Sequence, residues 1–490
     1  MLRKFSVFIL VFCLCQGLFS CRKDKLLTDT TARLKFSADT LLFDTVFTTI
    51  GSTTRHFLVR NPYNQPISIS NIHLAGGSNS PYKVNVDGSP LLTSLQNIQI
   101  RAKDSMYVWV KVTINPLGAN NPIIVADSIL FDVNGHNQHV ILEAIGQDVW
   151  LHKPNKYILL SDGTSVPYSE VPCGAVWTND KPHLVFNYLV VDSGCTLTMN
   201  PGTKVYMHNS AVLWVYKAGT LQVAGSYANP VTFAGDRLEA DYAGIPGQWG
   251  NIWLSALSKN NTIDWAIIKN ASVGLLVDTV DAHSGNPTLR LTNTRIFNMS
   301  VAGIYARGST IVADNVAVSN CTQYSVALTI GGCYSFRQCS FADYYSTATR
   351  STPSVVINNW YTDVNNNKWV RNLDSAHFYN CIIDGANTDE LKLDSAQSAT
   401  THFRYLFDHC LIASTLSVFG NMHFAFDNLY NNTNTSNYPN FYDPGNNNLN
   451  IHPNSPAAAP NGGYLSNPIS TDLNNVSRPF PPSIGAYEPH

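Results

Sequence analysis

The sequence is poor in charged residues and has no basic region. Charged residues make up 13% of the 490 residues, about half of the usage typical of soluble proteins. Without Arg3 and Lys4, which belong to a predicted signal peptide, the formal net charge is −4 (29 basic minus 33 acidic residues). Nucleic-acid binding requires a positive surface field, so we expect no nucleic-acid partner.

The sequence also lacks the patterns of α-helices. No stretch repeats its apolar residues at the 3.6-residue spacing of an amphipathic helix. Apolar residues alternate instead at period two in short runs, with many β-branched and aromatic members, and Asn and Gly separate these runs. We therefore predict an all-β protein.

The N-terminus has the layout of an exported lipoprotein. Arg3 and Lys4 precede an apolar run at 5–14 that is too short to cross a membrane. Leu18-Phe19-Ser20-Cys21 resembles a bacterial lipobox, which implies a signal peptide at 1–20 and lipidation of Cys21. A plain signal peptide is the alternative. We expect a lipid-anchored outer-membrane protein with a tether at 21–32, facing either the periplasm or the cell surface.

Residues 33–148 form the first predicted domain. Seven alternating stretches, separated by turn residues, predict a β-sandwich; they are Thr54 to Val59, Ile67 to Ile72, Lys83 to Val86, Ile98 to Arg101, Met106 to Ile114, Ile123 to Phe131 and His139 to Ile145. The run from Phe57 to Pro62, followed by Pro66 to Ile72, resembles immunoglobulin-like domains of the spindle-and-flagella-associated type. Such a domain is expected to act as a spacer.

A short sequence motif, which we call the recurring phrase, repeats between Asn261 and Ile412. Its frame is apolar, any, Asn-like, small, any, apolar, and the residues at its third position are Trp265, Asn293, Asn315, Gln338, Asn380 and His409. The intervals of 28, 22, 23, 42 and 29 residues suit one turn of a solenoid with insertions. We predict a right-handed parallel β-helix at 149–425 and an irregular C-terminal cap at 426–490 that closes the end of the solenoid.

Stacking of the coils predicts two ladders. Each strand pairs with its equivalent one layer away at about 4.8 Å, so the Asn residues should point inward at a bend and satisfy one another's amides. At the fourth frame position, Cys339, Cys381 and Cys410 should form a ladder of buried thiols. Cys173 and Cys195 lie 22 residues apart, about one coil, and are predicted to form a disulfide. Two unpaired buried thiols are the alternative.

The second half resembles secreted bacterial β-helix proteins of the pectate-lyase-like superfamily. The resemblance rests on Gly219-Thr-Leu-Gln-Val223, Asn229-Pro-Val-Thr-Phe233 and Trp249-Gly-Asn-Ile-Trp253 near the start. It rests at the end on Ser455-Pro-Ala457 and Ile484-Gly-Ala-Tyr-Glu488. The resemblance implies the fold and leaves the activity open, because the superfamily contains lyases, hydrolases and non-enzymes.

The long insertion at 343–372 is the predicted binding site. It carries Tyr344, Tyr345, Trp360, Tyr361 and Trp369, and aromatic faces stack on the apolar faces of sugar rings. The alternative is that these rings pack the loop against the coil. We therefore expect a β-helix that binds carbohydrate, or a surface structural module, with a cell-surface glycan as partner.

A polysaccharide lyase acting by β-elimination is the enzymatic alternative. The superfamily resemblance implies a Lys or Arg base and often Ca²⁺ bound by carboxylates. Lys368 and Arg371 are the candidate catalytic residues, and Asp236, Glu239 and Asp241 are the candidate metal ligands. A solvated loop is the other interpretation of these carboxylates. Outside the lyase hypothesis we expect no cofactor.

Overall fold

The computed structural model describes residues 25–116, 118, 122–159, 163–278, 286–345, 349–398, 400–415, 424–425, 428–430, 438–463, 465 and 467–489. The chain divides into two compact units between Asp148 and Val149. The predicted signal peptide and Cys21 lie outside the described residues. The helices in the described part are the short 3₁₀ turns Gly77–Asn79, Ala240–Tyr242 and Pro444–Asn446, and no helix there is long and apolar enough to cross a membrane.

The first unit is a β-sandwich of two five-stranded sheets. The first sheet contains, in spatial order, Lys35–Phe36, Arg55–Arg60, Ser105–Val112, Tyr82–Val86 and Ser89–Leu91. The second sheet contains Thr40–Phe47, His136–Gln147, Ile123–Val133, Ile67–Leu74 and Ser94–Ile100. Neighbouring strands are antiparallel except Thr40–Phe47 and His136–Gln147, which are parallel.

Alternation along the strands builds the sandwich core. In Ser105–Val112 every second residue is buried, as expected when one face of a sheet packs on its partner and the other faces water. All seven predicted strands are present. The structure adds Lys35–Phe36, Thr40–Phe47 and Ser89–Leu91, and Ala32 of the predicted tether is buried in this core.

The second unit is a parallel β-helix with three faces, which confirms the predicted fold class. Face A contains Val176–Trp177, Thr196–Met199, Thr220–Ala224, Asn261–Asp264, Leu289–Thr292, Thr310–Asp314, Gly332–Arg337, Leu373–Tyr379, Leu406–Asp408 and Phe424–Ala425. Face B contains Trp150–His152, Val231–Gly235, Ala266–Lys269, Arg295–Phe297, Ala317–Ser319, Ser340–Asp343, Ile382–Gly385, Leu411–Ala413 and Asn428–Tyr430. Face C contains Ser165–Glu170, Asn251–Leu254, Val273–Asp278, Ala302–Arg307, Tyr324–Thr329, Val355–Asn358 and Leu391–Asp394.

The chain visits faces A, B and C in that order in each coil. His183–Val191 and Lys204–Val215 are long strands that pass through both face B and face C. Equivalent strands pair in parallel register from coil to coil, and their inward side chains form one continuous apolar core. Lys156–Leu159 pairs antiparallel with Ser165–Glu170, and two hairpins lie outside the three faces: Trp360–Thr362 with Lys368–Val370, and Phe441–Asp443 with Asn448–Ile451.

The third position of the recurring phrase is the turn from face A to face B. Its six residues have φ between 49° and 60°, a left-handed conformation that Asn tolerates better than most residues. Asn315 is buried, and its Nδ2 donates to Asn293 Oδ1 at 2.8 Å. Asn380 instead exchanges two bonds with Gly463, at 3.0 and 2.7 Å. The prediction of inward amides is therefore corrected: Asn315 and Asn380 bond the C-terminal segment. One predicted bond between amides is present, from Asn315 to Asn293, and the left-handed backbone favours Asn at this turn.

The C-terminal segment was predicted to cap the end of the coils, and its described residues, 438–463, 465 and 467–489, lie along the side of the coils. It packs on the outward side of face B and forms a second apolar core with Ala317, Ile382 and Leu411. Arg478 Nη2 donates to Asn315 Oδ1 at 2.9 Å and Nη1 to Glu488 Oε1 at 2.7 Å. Ala317, Ile382 and Leu411 are apolar residues on the outward side of face B, and their burial under the segment is stabilising.

Cysteines occupy the expected positions. Cys339, Cys381 and Cys410 are buried, form no disulfide and stack in successive coils. Burial raises the pKa of the Cys381 thiol well above its ordinary value, so the thiols pack as small apolar groups. Cys173 and Cys195 are joined by a disulfide with a Cα–Cα distance of 4.7 Å.

Two histidines pack together at the first coils, where His183 is buried and His152 is half-buried. The Trp177 ring stacks on His183 with centroids 3.7 Å apart, and His152 Nε2 lies 3.0 Å from His183 Nδ1. Burial lowers the pKa of His152 to about 4 and, with a smaller effect from His152, that of His183 to about 3.

We predict that Asn380→Ala lowers the free energy of unfolding by roughly 2–3 kcal/mol. The change removes two buried hydrogen bonds, and alanine at positive φ lacks the side-chain amide that makes this conformation tolerable for Asn. Asn380→Gly removes the same bonds without the backbone strain and should cost about 1 kcal/mol less. Denaturant unfolding of both variants measures the difference. Equal losses would show that backbone conformation does not select this residue.

We predict that acid destabilises the first coils through His183. Its folded pKa is depressed, so the unfolded chain gains a proton as pH falls below 6.5 while the folded chain does not. Between pH 6.5 and 5 this removes about 2 kcal/mol of stability. The loss of unfolding free energy between the two pH values should be smaller in His183→Asn than in the wild type. The carboxyl groups contribute equally to the loss in both proteins, so the difference between the proteins reports on His183. The same loss in both proteins would contradict the assignment.

Candidate functional site

The predicted insertion at 343–372 is two separate connections. Val355–Asn358 within it is a strand of face C, so 344–354 connects face B to face C and 359–372 connects face C to face A. Sequence analysis treated the stretch as one loop because this strand has only four residues. The predicted aromatic residues therefore lie on opposite sides of face C.

The hairpin Trp360–Thr362 with Lys368–Val370 lies at the edge where face C ends. Trp360 Nε1 donates to Asp394 Oδ1 of face C at 3.3 Å, and Lys368 Nζ lies 4.0 Å from the Trp360 ring centroid. Tyr361 and Trp369 are directly opposite each other, so they share the other side of the hairpin. Trp369 is 52% exposed, and its Nε1 donates to Asp363 Oδ2 at 2.8 Å.

The other predicted residues have structural contacts. The Tyr344 hydroxyl donates to Asp384, and burial raises its pKa. Tyr345 is half-buried in the connection before face C. The Arg371 backbone N–H donates to Asn359 O at 2.7 Å. Lys368 and Arg371 thus lie on the hairpin that the aromatic residues build, with Lys368 stacked on an indole.

A buried ion pair fixes the connection before face C. Arg350 bonds both carboxylate oxygens of Glu390 and donates to Asp343 O at 3.0 Å; the Arg350 and Glu390 side chains are only 4% and 0% exposed. Burial raises the pKa of Glu390 and raises that of Asp343 to about 6. These two carboxyl groups cannot reach a substrate, so they stabilise the insertion.

The outward side of face C carries an apolar row that sequence analysis missed. Register places Trp214, Trp253, Leu276, Tyr305, Ala327 and Val356 one above another, and Lys392 follows Val356 in the next coil. The Trp214 and Trp253 rings stack with centroids 4.8 Å apart. The available signal was that runs such as Val212-Leu-Trp-Val215 are apolar on both sides, as in strands covered on both sides.

A polar row runs beside the apolar row. Asp278 pairs in register with Arg307 and Arg307 with Thr329, and Asn358 pairs with Asp394 in the last two coils. Arg307 binds both oxygens of Asp278, which raises the Arg307 pKa, and Trp253 Nε1 donates to Asp278 Oδ2 at 2.9 Å. We call the two rows together the face C surface.

Both edges of the face C surface are built up near its last coils. The hairpin stands at one edge. At the other edge is an open cleft of about 510 Å³, whose lining includes Ser351, Pro353, Asp389, Lys392 and Thr415. Lys392 also pairs in register with Val356, the last member of the apolar row, so the cleft continues the face C surface.

The predicted metal ligands do not form a metal site. Asp236 Oδ2 lies 2.6 Å from His208 Nδ1, and Glu239 accepts two bonds from Arg237 Nε at 3.2 and 3.1 Å. Within the described residues, no three His, Cys, Asp or Glu side chains lie close enough to hold a metal ion. Asp236 and Glu239 are therefore paired with neighbouring cationic side chains.

No family model and no curated protein matches this chain. Among solved structures, the catalytic unit of a GH87 α-1,3-glucanase from Streptomyces thermodiastaticus has 13% identity and a TM-score of 0.27, covering 73% of this chain and 74% of that one. A GH87 α-1,3-glucanase catalytic domain in complex with tetrasaccharides has 10% identity and a TM-score of 0.22, covering 76% and 86%.

A third likeness involves a smaller part of the chain. A PapD-like domain of human CEP192 has 12% identity and a TM-score of 0.17, covering 26% of this chain and 94% of that domain. Identities and TM-scores this low do not place the chain in a family.

We predict that Arg350→Met destabilises the protein by about 3–5 kcal/mol, because it leaves Glu390 charged and buried. The double variant Arg350→Met with Glu390→Met should lose less, since neither charge remains. Denaturant unfolding measures both losses, and limited proteolysis should cut between residues 344 and 354 first in the single variant. A double variant less stable than the single would contradict the role of the pair.

Proposed function

We propose that the β-helix binds a polysaccharide along the face C surface. The observation that carries this proposal is the parallel arrangement of an apolar row and a polar row on one face, beside an aromatic hairpin. A sugar ring offers apolar C–H groups on its faces and hydroxyl groups at its edge, so a binding surface needs both kinds of group side by side.

The polar row supports hydroxyl recognition. Asp278 and Arg307 neutralise each other, and a paired carboxylate and guanidinium keep further donor and acceptor capacity for ligand hydroxyls. Both side chains are held in place by hydrogen bonds, one of them from Trp253. Ordered groups lose less conformational entropy when a ligand binds.

The length of the surface supports a polymer as the ligand. Members of each row recur once per coil, at the spacing of paired β-strands, about 4.8 Å. The apolar row extends over six coils from Trp214 to Val356. A chain-like ligand can contact several coils at once, whereas a monosaccharide can contact only one or two.

Binding is favoured over catalysis by the environment of the ionisable groups. A general acid or base must reach the proton that it transfers. Asp343 and Glu390, the carboxyl groups described with raised pKa values, are completely buried. Lys368, the candidate base of a lyase, is stacked on Trp360.

We also propose that a lipid on Cys21 holds the protein to the outer membrane. This rests on the sequence of residues 1–25 alone, in which a short apolar run precedes Leu18-Phe19-Ser20-Cys21. Acyl chains anchor a protein through the burial of CH₂ groups. Radiolabelled palmitate should enter the wild type and not Cys21→Ala.

We predict that Trp369→Ala and Arg307→Gln each weaken glycan binding about 3- to 10-fold, the loss expected for one stacking or hydrogen-bonding contact. Tyr227→Ala is the matched control, because Tyr227 is 49% exposed and lies between face A and face B. A glycan array with the soluble chain that starts after Cys21 identifies the ligand, and calorimetry gives the affinities.

Three outcomes distinguish the possibilities. Retention of intact glycan that falls in both variants and not in the control supports binding on face C. Release of unsaturated ends that absorb ultraviolet light, abolished by Lys368→Ala or Arg371→Ala, would replace binding with a polysaccharide lyase. No response to any glycan would leave a surface structural module.

A further inference from the structure

The two sheets of the sandwich carry opposite charge. Strands of the first sheet contain five basic residues and no Asp or Glu; the basic residues are Lys35, Arg55, Arg60, Lys83 and Lys111. Strands of the second sheet contain four acidic residues and no Lys or Arg; the acidic residues are Asp44, Asp127, Asp132 and Glu143. The overall charge of the chain hides this segregation.

An aromatic cluster lies on the outward side of the basic sheet. Tyr107 and Trp109 alternate with the buried residues of Ser105–Val112 and are 45% and 40% exposed. Their rings are nearly parallel, at 21°, with centroids 5.7 Å apart. His56 on the neighbouring strand lies 4.5 Å from the Trp109 ring and 5.4 Å from the Tyr107 ring.

Two lysines lie directly opposite each other beside this cluster. Lys83 pairs in register with Lys111, and Asn85 pairs with Trp109. Both lysines are exposed, and neither ammonium group pairs with a carboxylate in the described part of the chain. Like charges directly opposite each other destabilise a sheet, and an anion bound between them would reverse that cost.

We propose that the outward side of the first sheet binds an anionic polysaccharide. Sugar rings stack on Tyr107 and Trp109, and the acidic group of a neighbouring sugar lies between Lys83 and Lys111. Asn85 and His56 border the rings and can bond hydroxyl groups. The sandwich, predicted from sequence to be a spacer, is then a second glycan-binding unit, independent of face C.

The charge arrangement favours an acidic glycan over other partners. A neutral glycan would need the aromatic rings and not the facing lysines. A nucleic acid duplex would need a wider positive field than one sheet of a protein with net negative charge supplies. The exposed, nearly parallel rings can stack on the flat apolar faces of sugar rings. The lysines beside them can bind an acidic group on the adjacent sugar.

Affinity electrophoresis of the soluble full chain tests the proposal. Gels contain polygalacturonate, a carboxylated glycan, or dextran, a neutral glycan. We expect polygalacturonate to retard the wild type, and the retardation to fall as salt rises from 50 to 300 mM because charge contributes to binding. Trp109→Ala should weaken retardation about 5-fold or more, and Lys83→Gln with Lys111→Gln about 10-fold with a flatter salt dependence.

Two controls separate this site from face C and from general charge effects. Arg101→Gln removes one exposed positive charge from the sandwich away from the cluster and should leave retardation unchanged. Trp369→Ala changes the hairpin beside face C. A loss of retardation in that variant alone would therefore be assigned to the proposed β-helix site. Circular dichroism of each variant establishes that it is folded.

Each result decides for or against the sandwich site. Loss of polygalacturonate retardation in folded Trp109→Ala and in the double lysine variant, with Arg101→Gln unchanged, supports it. Equal retardation of wild type and Trp109→Ala overturns it, as does equal retardation by dextran. Salt-sensitive binding of a DNA duplex that Trp109→Ala leaves unchanged would also overturn it, because charge alone would then explain the interaction.

Discussion

In the six coils that carry the recurring phrase, the β-helix depends on one left-handed residue at the turn from face A to face B. The backbone N–H groups of Asn293, Asn315 and Asn380 each donate to the coil above, at 3.1, 2.9 and 2.9 Å. Since the turn has the same conformation in these six coils, the strands on both sides of it start in register. In these coils the insertions occur in the connections on either side of face C, where a change in length does not shift the pairing of faces A and B.

The same turn explains why the C-terminal segment lies where it does. Asparagine at positive φ directs its amide outward, and an amide there requires partners. The segment supplies them through Gly463 and Arg478. Gly463 packs so closely on His409 that a Cβ would lie 2.3 Å from Nδ1, so glycine is required at this contact. The hydrogen bonds of these amides and the close contact at His409 hold the segment against face B.

Sequence reasoning predicted the repeating parts of this protein and missed the parts that depend on packing between distant segments. The recurring phrase and the seven alternating stretches are local patterns, and both folds follow from them. A second row of left-handed Asn residues, Asn270, Asn298 and Asn320, was not predicted, because the pattern they share, Asn followed two residues later by Ser or Thr, is too short to stand out. The face C surface was missed because outward position depends on coil register, which short apolar runs do not reveal.

Outward position is also what links the two proposed binding surfaces. In a strand, side chains alternate between the core and the solvent, so each apolar or like-charged residue at an outward position costs stability or solubility without improving the core. Tyr107 and Trp109 could be polar without loss to the sandwich core, and Lys83 opposite Lys111 is unfavourable in the sheet itself. Trp253 and Tyr305 occupy equivalent outward positions on face C. The fold does not require these side chains, and contact with a ligand is the role that both proposals give them.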